Sequence, residues 1–377
     1  MKLVVLSTRL SGYMAGCLQT FRQLTDADIL LYAWPNQPDA PFDPSCFESL
    51  GKLHDRYDFA DSDILKAISD FAPDAVLVSG WKDKGYVRIC RQLKAAGIFV
   101  ISGCDTQWKG SLRQKIAALV APLHVRRFID VLWTTGERQR YLARALGYTG
   151  ESCWDGYYAC DWERFSRSPQ AQALATETST IETDPYFLYV GRYAPEKGLD
   201  TLATAYRQYC QSVHTPWKLV CAGAGELGTA LVAAGAEDRG FIQPSHLPAL
   251  MQNAGAFVLP SRFEPWGVVV QEAAACGLPL ILSDVCGAAT HLLRPHYNGL
   301  SFSAGSVDGL VRSLKTMHSL SDQQRQAFAQ ASYELSKQYT PERWAKTLQQ
   351  GIQLRQRQAQ SVRQMSIPST TYQSKPS

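Results

Sequence analysis

The chain has 377 residues, 45% of them hydrophobic and 19% charged, with a formal net charge of +4. That length suits two domains, each able to bury its own core. The charge is too small to point to nucleic acid, and no apolar run approaches the roughly 20 residues that span a bilayer. Ten cysteines stand singly, without a C-x-x-C pair, which fits buried thiols in a reducing, cytoplasmic compartment better than zinc or a redox pair.

The opening MKLVVLSTRL meets Arg9 after a few apolar residues, so it reads as a first strand and not as a secretory signal. Strand-like runs recur at residues 3–7, 29–34, 75–79, 98–102 and 131–135, with helical patterns between most of them. DSDILKAISDF, residues 61–71, carries acids in its first turn, and Gly97 stops the helix GYVRICRQLKAAG. Such alternation predicts a parallel sheet with helices on both faces and ligands at the carboxyl ends of the strands. Two loops of this half invite a site. RLSGYMAG follows the first strand and carries Gly12 and Gly16. GCDTQW places Asp105 just past a strand, where it reads equally as a site residue or as the cap of the next helix.

Farther on, Lys109, Arg113, Lys115, Arg126 and Arg127 occur with no acid among them. A basic, partly apolar helical stretch of this kind suits the surface of an anionic membrane; a solvated helix face is the competing reading. The first domain is expected to occupy residues 1–165. Residues 166–184 are polar and poor in large apolar groups, and read as a linker. Strand and helix then alternate again, giving a second doubly wound domain at 185–335. A helix at 336–357 follows, opened by TPERW with a threonine cap and proline at its first position. The polar stretch 358–377 reads as a disordered tail.

The chemistry concentrates in the second half. YFLYVGRYAPEKGLDTLATAY, residues 186–206, is a strand, a glycine turn and a helix, with Arg192 and Lys197 on the connecting loop. A planar fork and a mobile point charge together neutralise a diphosphate; a surface ion pair of Arg192 and Lys197 with Glu196 is the alternative. AGAGEL, residues 222–227, supplies Gly223 and Gly225 after a strand. SRFEPWGVVVQEAAACGLPLILSD, residues 261–284, sets Glu264 and Glu272 around a turn that opens a buried helix. Free amides at Trp266, Gly267 and Val268 would attract a phosphate, while the carboxylates accept from hydroxyl groups on either side. Two solvated glutamates beside an ordinary helix would give the same spacing. His124, His246 and His296 lack metal spacing, and the pairs Asp26/Asp28 and Asp61/Asp63 precede a strand and begin a helix. Neither a metal nor a bound cofactor is expected.

The order GRYAPEKG, GAGE, SRFEPWGVVVQEAAACGLP and HYNGLSF resembles the donor half of the retaining glycosyltransferases of family 4, closely over residues 186–300. The resemblance implies an α/β GT-B fold: two Rossmann-like, doubly wound domains with an interdomain cleft. The first domain would bind the acceptor and the second a nucleotide sugar, with the terminal helix returning to the first domain on Trp344. It also implies transfer of a hexosyl group, with retained configuration, to a sugar or lipid-linked acceptor in polysaccharide or glycolipid synthesis. By motif position, Arg192 and Lys197 would hold the diphosphate, Glu264 the transferred sugar and Glu272 the ribose. Asp105 would serve from the first domain, and Trp266, Gly267, Val268, Gly223, Gly225 and Gly12 would line the nucleotide site. The chain departs from the pattern where Cys104 replaces a histidine, Ala159 a glycine and His291 a glutamate, and where the loop at Gly12 lacks paired glycines. His291 then reads as a helix-surface residue. A nucleotide-sugar epimerase of the same fold and a noncatalytic nucleotide-sugar-binding protein remain as other readings.

Overall fold

A computed structural model describes residues 1–35, 44–166 and 184–365. Seven strands form the first sheet: β1 (Lys2–Ser7), β2 (Asp28–Ala33), β3 (Leu53–Asp55), β4 (Ala75–Val78), β5 (Phe99–Cys104), β6 (Val131–Thr134) and β7 (Cys153–Asp155). They lie in the order β3-β2-β1-β4-β5-β6-β7. Six more form the second: β8 (Tyr186–Val190), β9 (Lys218–Ala222), β10 (Glu237–Asp238), β11 (Ala256–Leu259), β12 (Leu280–Ser283) and β13 (Gly299–Phe302), ordered β10-β9-β8-β11-β12-β13. Every pairing within both sheets is parallel.

The central strands are continuous apolar runs because helices cover both of their faces; all five residues of β8 and all four of β11 are buried. The short strands β3, β7 and β10 were not foreseen from the sequence. They are two or three residues long, lie at sheet edges and are only partly buried, so no hydrophobic period marks them.

Each sheet reverses its strand order once, between β1 and β4 and between β8 and β11. Loops leaving β1 and β8 therefore open crevices at the carboxyl ends of the strands, where open α/β sheets take ligands. From the first crevice departs α1 (Gly12–Thr25), and around the same sheet lie α2 (Asp61–Phe71), α3 (Lys84–Ala95), α4 (Leu112–Val120) and α5 (Glu137–Ala145).

The last helix, Pro341–Met365, returns to the first domain. Trp344 is buried there, its ring stacked on Trp133 with centroids 4.8 Å apart, and its Nε1 donates to the Tyr157 carbonyl at 2.8 Å. Leu348 and Ile352 join the core that holds Leu18 and Phe21 of α1. Gly351 permits this approach, since a Cβ there would lie 2.0 Å from the Trp154 ring. The helix runs past residue 357, the end expected for it, because RQRQAQSVRQ contains neither glycine nor proline and is rich in good helix formers. Residues 167–183 of the expected linker and 366–377 of the expected tail lie outside the described residues.

Candidate active site

The wall from the second domain is built from three βα turns. After β8, Gly191 adopts φ +153°, and its N–H donates to the Ala222 carbonyl at 3.0 Å. Gly223 sits so close that a Cβ would fall 1.9 Å from the Gly191 carbonyl oxygen, so these two turns nest only with glycine. A short 3₁₀ turn, Pro195–Lys197, then carries Lys197 inward before the helix Leu199–Ser212. In the third turn Gly267, at φ +93°, ends the loop from β11 and lets the helix Val268–Ala275 begin. The first amides of a helix have no acceptor within it and carry its positive end.

Charge on this wall is paired. Lys197 Nζ forms an ion pair with Glu264 Oε2, and the Ser261 hydroxyl lies 3.3 Å from the same oxygen. Both partners are largely buried, so the pair keeps each charge from standing alone in a low-dielectric place. Arg192 bonds Glu196 at 3.0 Å, the surface pair weighed above, with both side chains about 40% exposed. Arg192 nonetheless lines the cavity with Lys197. Glu272 lines the cavity and is partly exposed there; burial first, and the neighbouring Asp161 second, raise its carboxyl from 4.5 to about 7.

The first domain supplies the opposite wall. Asp105, just past β5, accepts from the Tyr158 hydroxyl at 3.1 Å, and Tyr158 meets Tyr13 edge to face at 5.3 Å. Asp105 does not cap the following helix: Ser111 does, accepting from the Gln114 amide at 3.3 Å. Gly12 opens α1 with nothing within 4 Å of a would-be Cβ, so it faces open space.

These walls enclose a cavity of roughly 450 Å³. Arg192, Lys197, Glu264, Glu272, Asp105, Trp266, Gly267, Val268, Gly223 and Gly12 all line it. Gly225 does not belong to that lining. Its φ is +143° and a Cβ would lie 2.6 Å from the Tyr193 carbonyl oxygen, so this glycine closes its own turn and not the cavity. A second cavity of roughly 670 Å³ extends from the first into the amino-terminal domain, past Trp34, Ser79, Trp81, Lys82 and Arg113. Arg9, Ser11, Tyr13, Asp105 and Tyr158 border both. Among the described residues no group of three or more His, Cys, Asp or Glu side chains assembles with metal-binding geometry.

A clasp of amides holds the two walls together. Gln107 Nε2 donates to the carbonyls of Glu264 and Pro265 at 2.9 and 3.0 Å, and Gln139 Nε2 donates to those of Pro265 and Asp105 at 2.6 and 3.1 Å. Arg138 donates to the Asp284 and Val285 carbonyls, and Gln271 to that of Tyr158. His291 belongs to this interface and not to a helix surface. Its Nε2 accepts from the Glu137 amide at 3.0 Å, its ring lies 5.6 Å from that of Trp266, and burial holds its pKa below the usual value. Trp266 itself is buried against His291 and Tyr339, so the indole packs the interface while the backbone lines the cavity. Sequence reasoning passed over Arg9, Tyr13, Gln107, Gln139 and Tyr158. No short spacing marks them, since their roles arise only when distant segments meet.

Residues 172–335 match the family model of the glycosyl transferases group 1. Glycogen synthase of Mycobacterium tuberculosis is 33% identical over 139 residues, 34% of this chain and 33% of that protein. The O-antigen chain mannosyltransferase B of Escherichia coli is 26% identical over 38% of this chain and 40% of its own length. The matched segment thus spans between a third and two fifths of these relatives. Among solved structures, Anabaena Alr3699/HepE in complex with UDP superposes with a TM-score of 0.73 at 16% identity, over 94% of this chain and all of that one. Sucrose-phosphate synthase of Thermosynechococcus elongatus superposes with a TM-score of 0.69 at 17% identity, over 96% of this chain and all of that one. The described residues therefore have the GT-B fold, and residues 172–335 are similar in sequence to the group 1 glycosyl transferases.

Proposed function

We propose that the protein is a retaining glycosyltransferase of the family 4 type, moving a hexosyl group from a nucleotide diphosphate sugar to an acceptor hydroxyl. One observation carries the reading: two cations, two carboxylates and a helix start from the second domain share a cavity with Asp105 of the first. Lys197, Arg192 and the amides at Gly267 and Val268 supply positive potential for the diphosphate. Glu272 takes the ribose hydroxyls, and Glu264, held by Lys197 and Ser261, faces the transferred sugar. The bond from C1 to the phosphate oxygen breaks as the acceptor oxygen bonds C1 on the same face, and the acceptor proton passes to the departing diphosphate. The burden on the protein is electrostatic: it stabilises the leaving group and keeps water out. Neither a divalent ion nor a cofactor enters this scheme.

The cavity continuing into the first domain supports an acceptor site, and with it transfer over epimerisation. Because Alr3699/HepE binds UDP and UDP-glucose, UDP-sugars are the first donors to try. The O-antigen mannosyltransferase among the relatives favours acceptors of polysaccharide or glycolipid synthesis. The test incubates the protein with UDP-, GDP- and ADP-sugars and a panel of saccharide acceptors, and reads the anomeric configuration of the product by NMR. An α-linked product from an α-donor is expected. An inverted product would remove the retaining assignment, a free isomerised nucleotide sugar would favour an epimerase, and donor binding without turnover would leave a binding protein.

A further inference from the structure

The helix α4 is unusual in what it leaves outside. None of its residues is fully buried, and its large apolar side chains face solvent: Leu112 is 74% exposed, Leu119 81%, and Leu123 in the following turn 67%, with Ile116 also exposed. The spacing 112, 116, 119 puts three of them on one line along the helix, the arrangement that ordinarily faces a core, and Leu123 follows in the 3₁₀ turn Ala121–Leu123. Here it faces water. A contiguous apolar stripe on a surface marks a place where something else sits.

Charge identifies the occupant. Arg113 and Lys115 flank the stripe on the helix, Lys109 precedes it, and Arg126 and Arg127 follow it, all exposed. None of the five forms an ion pair among the described residues, and no acidic residue lies between Asp105 and Asp130. Lys109 is engaged over the Phe263 ring at 3.6 Å, and the four remaining cations beside an apolar face match an anionic bilayer, in which the leucines enter the boundary of acyl chains and headgroups and the cations meet the lipid phosphates. No helix among the described residues is long and apolar enough to cross a membrane, so the contact lies at the surface.

We infer that α4 docks the protein on an anionic lipid surface through Leu112, Ile116, Leu119 and Leu123, and that this docking brings the cavity of the first domain to the membrane. The link is Arg113, which stands on the docking helix and also lines that cavity. A saccharide anchored in the bilayer by a lipid is thereby presented to the cavity from its rim. Docking goes beyond sugar transfer and does not rest on it, because its test reads lipid binding alone.

The experiment is co-sedimentation of the full chain with vesicles of equal parts phosphatidylglycerol and phosphatidylcholine, against vesicles of phosphatidylcholine only. Binding is expected to the anionic vesicles and to weaken as salt is raised. Replacing the four apolar residues together by asparagine lowers the partition roughly tenfold or more, and Lys115→Gln lowers it several-fold, from the area and charge removed. Exposed residues contribute little to the core, so the quadruple variant keeps its melting temperature and its thermal shift with UDP, which separates lost docking from lost folding. Undiminished vesicle binding by the quadruple variant overturns the inference. So does equal binding to the neutral vesicles. A dimer in solution that the quadruple variant dissociates would show instead that a second copy covers the stripe.

Discussion

The two walls of the cleft are made differently. In the second domain the cavity-lining groups lie on three turns, each a few residues long, and glycines in left-handed or crowded positions fix their backbone. In the first domain they are side chains from distant segments: Arg9 and Tyr13 near β1, Asp105 past β5, and Tyr158 beyond β7. A wall of backbone and short turns writes itself into local sequence, whereas a wall of assembled side chains does not. Under the proposed function the difference would also separate two tasks. Charge on a diphosphate is common to all nucleotide sugars and suits a fixed cradle, while an acceptor is individual and is read by side chains.

If the second-domain wall holds the leaving group, Lys197→Ala should show the largest effect, lowering kcat by about 10²–10³ as expected for loss of one preorganised charge at a developing anion. The same substitution leaves the buried Glu264 carboxylate alone, so a melting curve should fall as well. Lys197→Ala with Glu264→Gln should recover stability without recovering turnover. Recovery of both would make the pair structural.

Glu272→Gln should weaken binding of a nucleoside diphosphate about tenfold, by loss of a charged acceptor for the ribose. Its effect on the free protein has the opposite sign. The carboxyl of Glu272 is raised to about 7 in the fold, so between its ordinary 4.5 and 7 the folded chain keeps a proton that the unfolded chain has released. Wild-type stability therefore declines through that window as pH rises, and the cost is complete above 7. Glu272→Gln should melt higher than wild type at pH 8 and close to it at pH 4.5. A constant difference across pH would contradict the burial of this group.

Asp105→Asn tests the opposite wall. It should lower kcat about tenfold, through a weakened hydrogen bond, while leaving the UDP thermal shift as in wild type. A loss of UDP binding would blur the division between walls. The smallest expected effect is from excess chelator, which should leave turnover unchanged; abolished activity would require a metal in the cradle.

The same contrast explains what was legible beforehand. Both sheets announce themselves through buried runs such as YFLYV and AFVL, and the paired glutamates with their glycine turn point to the cradle. Gly225 stands outside the cavity lining, and a glycine required by its own turn looks the same in sequence as one required by a ligand. The partner of Asp105 proved to be Tyr158, 53 residues away, and the clasp by Gln107 and Gln139 joins carbonyls in both domains. Glutamine side chains have no spacing that marks them for such work. His291 escaped for the same reason, since only the packed interface reveals its bond to the Glu137 amide.

Calorimetric titration of UDP, GDP and ADP into wild type and Glu272→Ala tests the cradle most directly. One of the three nucleotides should bind the wild-type chain, with affinity reduced at least tenfold in the variant. Binding of none of them, or equal binding by both proteins, would contradict a nucleotide diphosphate site at the start of the helix Val268–Ala275.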